Sequence, residues 1–253
     1  DSPLEATKAR VAHSGMIVQH ERAKGDLEVA RARLAATWGG AEAGFGRAAG
    51  DLGTISPVPG FKDLLALLGE NPEIVRSMID KDSKDAALAL ERATAIPDLT
   101  IRGGMKRFAG SGDNSLILGL SIPIPLFDRN RDGRLMAYHE AAAADENLKA
   151  VNLSVRTRLV EAYSRLSAAY READRIDSSI MESAEALHKA SRVSYDEGKV
   201  DYLMVLDAQR TLFELKTHYI DVLVSYHSAK VEVEKLIGRS LESVGIEERE
   251  ETR

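Results

Sequence analysis

The chain has 253 residues, is 44% apolar but only 5% aromatic, carries a formal net charge of −6 and contains no cysteine. This balance allows a sizeable core built from helix formers. It excludes a general nucleic-acid binder, disulfide staples and thiolate metal sites. No apolar run reaches the roughly 18 residues of a membrane-crossing helix. The opening stretch DSPLEATKARV lacks the basic and apolar regions of a signal peptide, and it reads as though it starts partway through a longer protein.

Taken in order, the first expected element is a helix over residues 3–38. Ser2 stands at its cap, Pro3 in its first turn, and Gly39-Gly40 stop it. Leu4, Val11, Val18, Leu27 and Leu34 lie near heptad spacing, which predicts a coiled-coil face with a solvated back. From Ala41 to Gly69 the glycines and prolines crowd together. This predicts an irregular connector carrying a short amphipathic helix from Phe61 to Leu68. A second helix starts at Pro72, capped by Asn71, and ends before Pro97.

Between Pro97 and Gly133 the period changes from helical to alternating. Leu99, Ile101 and Met105 fall on one side of a strand, and Thr100, Arg102 and Lys106 on the other. After the turn cluster Gly110-Ser111-Gly112-Asp113-Asn114, Leu116, Leu118, Leu120, Ile122 and Ile124 alternate again on one face. Each arm is about ten residues, the length of a tilted strand crossing a bilayer. Pro123 and Pro125 end the pairing, because proline has no N–H for the ladder.

From Gly133 to Gly198 there is neither glycine nor proline between the two, which predicts about 90 Å of unbroken helix. Its apolar stripe runs through Leu148, Val155, Leu159, Ala162, Leu166, Ala169, Ala173, Ile176, Ile180 and Leu187. A turn at Asp196–Lys199 leads into an antiparallel return helix from Tyr202 to Ile237, stopped by Gly238. A shift of 199 positions lays Ser2–Gly39 over Asp201–Gly238 without a gap. It pairs Leu4 with Leu203, Ala9 with Ala208, Ala30 with Ala229 and Gly39 with Gly238. A duplicated unit explains the shared length and stop.

Candidate chemistry is sparse. Among the six histidines, His13 and His20 are seven positions apart, two helical turns and too far for one ion. Glu185 and His188 have the Glu-x-x-His spacing of di-iron bundles, but no second copy accompanies them. Nucleophile-elbow, P-loop and dinucleotide motifs are missing, so neither an enzyme nor a cofactor or metal site is expected.

The segments PDLT, GLSIPIPLFDRN and YDEGKVDYLMVLDAQRTLFELK carry a resemblance. The chain resembles the TolC-type outer-membrane efflux proteins over residues 1–238, and within them the CzcC-like heavy-metal efflux branch. The resemblance implies a mainly α fold. Long antiparallel coiled-coil helices of the α-barrel type would accompany one β-hairpin contributing to an outer-membrane β-barrel. It divides the chain into a periplasmic coiled-coil helix of the first repeat (1–39), an irregular equatorial connector (40–70) and a helix leading to the barrel (71–96). The barrel hairpin (97–127), the long helix–turn–helix of the periplasmic tunnel (128–238) and a charged tail (239–253) follow.

By resemblance, Leu99, Ile101, Leu116, Leu118, Leu120 and Ile122 face lipid. Tyr195 and Gly198 match a gate tyrosine and a turn glycine at the helix tip. Val200 replaces the tyrosine's partner arginine, and Met204 replaces the first of two tip aspartates. Asp207 matches the second, and Asp201 and Glu5 add acids near the tip. The implied protein is a homotrimeric outer-membrane duct with a large periplasmic part and an iris-like gate, passing heavy-metal cations passively. Its implied partners are a periplasmic adaptor, an inner-membrane pump of the RND type and outer-membrane lipid. The alternative is a structural coiled-coil scaffold whose hairpin mediates oligomerisation.

Overall fold

The computed structural model describes residues 3–42, 44–108, 110, 112, 114–123 and 130–244, apart from the side chains of Leu4 and Glu5. Ser111, Asp113, Ile124, Pro125 and the end of the charged tail lie outside the described residues. The chain divides into two compact units, Asp1–Val58 with Ser164–Val231 and Pro59–Tyr163 with Glu232–Arg253.

The first unit opens with α1, Pro3–Ala36. The helix stops slightly earlier than predicted because its end is tied back on itself: Gly40 N–H reaches the Ala35 carbonyl at 3.0 Å and Gly39 N–H that of Ala36 at 3.1 Å. Among the described residues of α1 only Ala35 is buried, and the predicted heptad face of Val11, Val18, Leu27 and Leu34 is exposed. The stripe is there, but among the described residues nothing covers it.

The same unit takes in the end of α4 (Arg131–Arg175), the π-helical segment Ile176–Ile180, α5 (Met181–Asp196) and most of α6 (Tyr202–Ile237). Helices α5 and α6 run antiparallel. Lys216 pairs with Glu185 at 2.8 Å, and the rings of Tyr195 and Tyr202 meet at 5.3 Å between centroids. Leu166, Ala169, Ala173 and Ile176 are buried on one side, and Val205, Ala208 and Leu212 on α6. So many small side chains let helical backbones approach closely. The connector is strapped down by buried Tyr226, whose hydroxyl donates to the Ser56 carbonyl at 2.9 Å and accepts from Ser56 N–H at 3.0 Å.

The long helix departs from expectation at one place. The Met181 N–H bonds to the Ile176 carbonyl, five residues back, which defines a π turn. Up to Ile176 the buried positions follow the predicted heptad; beyond it they fall on Ala184 and Ser191. Ile180 and Leu187, predicted to continue the stripe, are 40% and 52% exposed. One extra residue in the turn rotates everything after it by about a quarter turn, which explains both outcomes.

The second unit contains α2 (Phe61–Ala66), which tightens into a 3₁₀ turn over Leu67–Glu70, followed by α3 (Pro72–Ala93). Asn71 caps α3 as predicted: its Oδ1 accepts from Glu73 N–H at 2.9 Å and Ile74 N–H at 3.4 Å. Its Nδ2 donates to the Leu236 carbonyl at 2.8 Å, tying the start of α3 to the end of α6. Alongside, Arg158 makes a two-pronged bond to Glu73, and Arg239 another to Glu70 at 2.6 and 2.9 Å. Leu64, Val155, Leu159, Val233 and Ile237 are fully buried in this unit.

Strands β1 (Thr100–Arg107) and β2 (Asn114–Ser121) form a two-stranded antiparallel sheet. They are eight residues each, shorter than the predicted ten, so Leu99 and Ile122 lie just past the ladder. The neighbouring Pro97 and Pro123 limit further pairing.

Candidate functional site

The hairpin's register decides what its two faces present. Ile101 pairs with Leu120, Gly103 with Leu118 and Met105 with Leu116, all on one face. The opposite face carries the pairs Thr100–Ser121, Arg102–Gly119, Gly104–Ile117 and Lys106–Ser115. One side is therefore aliphatic as far as the Arg107–Asn114 pair beside the turn, and the other is small, polar and basic apart from Ile117; neither strand contains an acid. The predicted lipid-facing set is brought together on one surface. It is also wholly uncovered, with Ile101 73% and Leu118 77% exposed, and Leu99, Leu116, Leu120 and Ile122 exposed as well. An apolar band with a hydrophilic reverse is how a barrel strand meets hydrocarbon outside and water inside.

The two helix ends that flank the hairpin in sequence are tied together by Asn130. Its Nδ2 donates to the Glu91 carbonyl at 3.2 Å, to Thr94 Oγ1 at 2.8 Å and to the Glu91 carboxylate. Its own carbonyl accepts the first helical bond of α4, from Arg134 N–H at 3.1 Å. A Cβ at position 133 would lie 2.8 Å from Glu91 Oε2 and closer still to Asn130 Oδ1, so a larger residue there would have to push these side-chain ends out of the latch. In the sequence Gly133 marks only the start of a stretch free of glycine and proline. The readable signal was an Asn standing just before a helix, a common capping choice.

At the other predicted site, α5 ends in a left-handed turn. Gly198 has φ +72°, its N–H bonding to the Tyr195 carbonyl at 2.8 Å while Lys199 N–H reaches that of Ser194 at 2.8 Å. These paired bonds close the helix end, and the turn needs glycine because a Cβ is disfavoured at that φ. Lys199 and Glu197 form an exposed ion pair at 2.7 Å. Tyr195 stacks obliquely on Tyr202, a contact across the turn that helical spacing does not announce. Asp201 stands just before α6, and Asp207 projects from its exposed side between buried Val205 and Ala208. Neither carboxylate has a hydrogen bond or ion pair among the described residues. Glu5 belongs to the first turn of α1, but its side chain lies outside those described.

Among the described residues no group of His, Cys, Asp and Glu could hold an ion. Glu185 is engaged by Lys216, and His218 pairs with Glu172 at 2.8 Å. No described helix is long and apolar enough to cross a membrane.

Residues 65–239 match the family model for outer membrane efflux proteins. The cobalt-zinc-cadmium resistance protein CzcC of Cupriavidus metallidurans is 32% identical over 94% of this chain and 57% of its own length. The nickel-cobalt-cadmium resistance protein NccC of Alcaligenes xylosoxydans is 29% identical over 66% of this chain and 38% of its own. The outer-membrane channel OprN shares the fold, with a TM-score of 0.72 at 20% identity, covering 95% of this chain and 56% of that structure. The chain thus spans about half the length of the relatives it matches.

Proposed function

The chain belongs to the outer membrane efflux protein family, whose members are membrane channels rather than enzymes, and on that premise we propose that it is part of a passive outer-membrane duct exporting heavy-metal cations. Metal resistance is what the names of the relatives state. The observation that carries the reading is the hairpin: an exposed aliphatic face backed by a polar one, set between long helices. In this reading the polar face lines the water-filled exit of a trimer. Helices α5 and α6 line its periplasmic tunnel, fed by an adaptor and an inner-membrane pump.

The tip would act as the gate. Related copies of Asp207 around one axis would set like charges near each other in a narrow mouth. Their field would concentrate cations there, and a multivalent ion bridging them would hold the mouth shut. Asp201 and Glu5 would add to that field from farther out, while Tyr195 against Tyr202 would stiffen the turn.

Planar-bilayer recording of the whole protein tests this. Discrete channels are expected, blocked by multivalent cations on the helix-tip side. Asp207→Asn should weaken that block several-fold without changing assembly, and Glu5→Gln should weaken it less. Equal block in wild type and Asp207→Asn would remove the acid ring from the constriction. Absence of any channel would favour the scaffold.

A further inference from the structure

We propose that the cleft between the last turns of α3 and the first turns of α4 binds the phosphate headgroup of an anionic phospholipid. The inference rests on the hairpin entering a bilayer. The cleft encloses about 520 Å³ and is lined by Leu88, Arg92, Arg131, Arg134, Leu135 and Tyr138. Arg92 comes from the end of α3 and the other two arginines from the start of α4, and the Asn130 latch holds those two helix ends together. Among the described residues none of the three guanidinium groups has a carboxylate partner. Three forks of one sign in one cleft suit an anion that accepts bidentate hydrogen bonds, and phosphate does so well.

The rest of the lining decides what kind of phosphate. Leu88, Leu135 and Tyr138 are apolar or amphipathic, and Leu135 and Tyr138 are exposed. A free inorganic anion gains nothing from them, whereas the glycerol and first methylenes of a lipid lie well along such side chains. The position agrees. Arg92 precedes β1 by eight residues, so the cleft sits where the polypeptide passes from helix to apolar hairpin. That boundary is where headgroups would be met, and basic side chains at a leaflet surface draw anionic lipids.

The test uses the whole protein, reconstituted with phosphatidylglycerol or phosphatidylcholine, and compares it with a combined Arg92→Gln, Arg131→Gln, Arg134→Gln variant. Arg134→Gln alone serves as a milder variant should the combined one fold poorly. Vesicle flotation reads insertion, and native mass spectrometry reads oligomeric state and retained lipid. Wild type should retain phosphatidylglycerol over phosphatidylcholine. The combined variant should insert and assemble normally but lose about tenfold or more of that retention, since charge-assisted bonds are removed. Equal retention of the two lipids, or equal retention by variant and wild type, overturns the proposal. So does full displacement by millimolar inorganic phosphate, which would mark a simple anion site. A variant that loses its oligomer instead of its lipid would make the cleft an interface between copies. Wild type that floats without lipid preference sinks this proposal alone; wild type that does not float sinks the duct reading with it.

Discussion

Asn71 uses both lone pairs of its Oδ1 on the first turn of α3 and one N–H on the Leu236 carbonyl, while only 2% exposed. Replacing it with Ala removes a cap and strands a buried carbonyl. The expected loss is about 2–4 kcal/mol, combining the two effects. Urea unfolding of the solubilised protein would read it, and a loss below about 0.5 kcal/mol would mean the contacts are dispensable. Its neighbour Glu73 gives a pH signature. The Arg158 guanidinium holds the Glu73 carboxyl below the usual range. Because the folded value is the lowered one, the pair stabilises fully above the ordinary glutamate pKa and loses that contribution as pH falls through the depressed value. Glu73→Gln should therefore narrow the stability gap between neutral and acid pH, modestly, since the pair is partly exposed. The cap was readable from Asn-Pro-Glu alone. Its bond to Leu236, 165 positions away, was not, because local spacing carries no information about which distant carbonyl will arrive.

Whole elements tell a similar story at longer range. The boundaries of α3 and α6 were legible from their caps and stops, and the two faces of the hairpin from alternation. The π turn was hidden, because Ile180 and Leu187 continue the apolar period that the structure abandons. The buried set after it, Ala184 and Ser191, is small or polar and leaves a weak mark in sequence. Deleting Ser178 should convert the π turn to α-helix and leave the packing of α5 unchanged. Its melting temperature should stay within a few degrees of wild type. Deleting Ser167 instead would rotate the following stripe away from its core and should unfold the helix pair. If both deletions were equally harmful, the π turn would not be a simple one-residue insertion. For the hairpin, Leu118→Arg should cost about 2–4 kcal/mol of membrane insertion if that face meets hydrocarbon. Normal membrane yield of this variant would instead place protein against it.

For the molecule as a whole, the family and the mainly helical fold with one hairpin were legible, and both the family match and the shared fold bear them out. Length, period and stops repeat across the chain, and the two glycine stops, Gly39 and Gly238, both adopt left-handed φ. What covers α1 was not legible. A heptad stripe announces that it wants a partner without saying whose, and here Val11, Val18 and Leu27 stay exposed. Such uncovered stripes favour association of copies. Light scattering of the solubilised protein should find oligomers, and Val11→Glu with Val18→Glu should shift them toward monomer.

Among the described residues the hairpin has two unpaired edges, and they set an order of events. Each outer edge leaves roughly eight backbone N–H and C=O groups unpaired, and each would cost several kcal/mol in hydrocarbon. Burying about seven aliphatic side chains at about 2 kcal/mol each does not offset that. A solitary hairpin is therefore barred from the bilayer however greasy its face, and it becomes admissible only when neighbouring strands close both edges. If the hairpin enters a bilayer as proposed, membrane entry would act as a proofreading step: incomplete assemblies would stay outside, and only a closed ring of strands would pass into it.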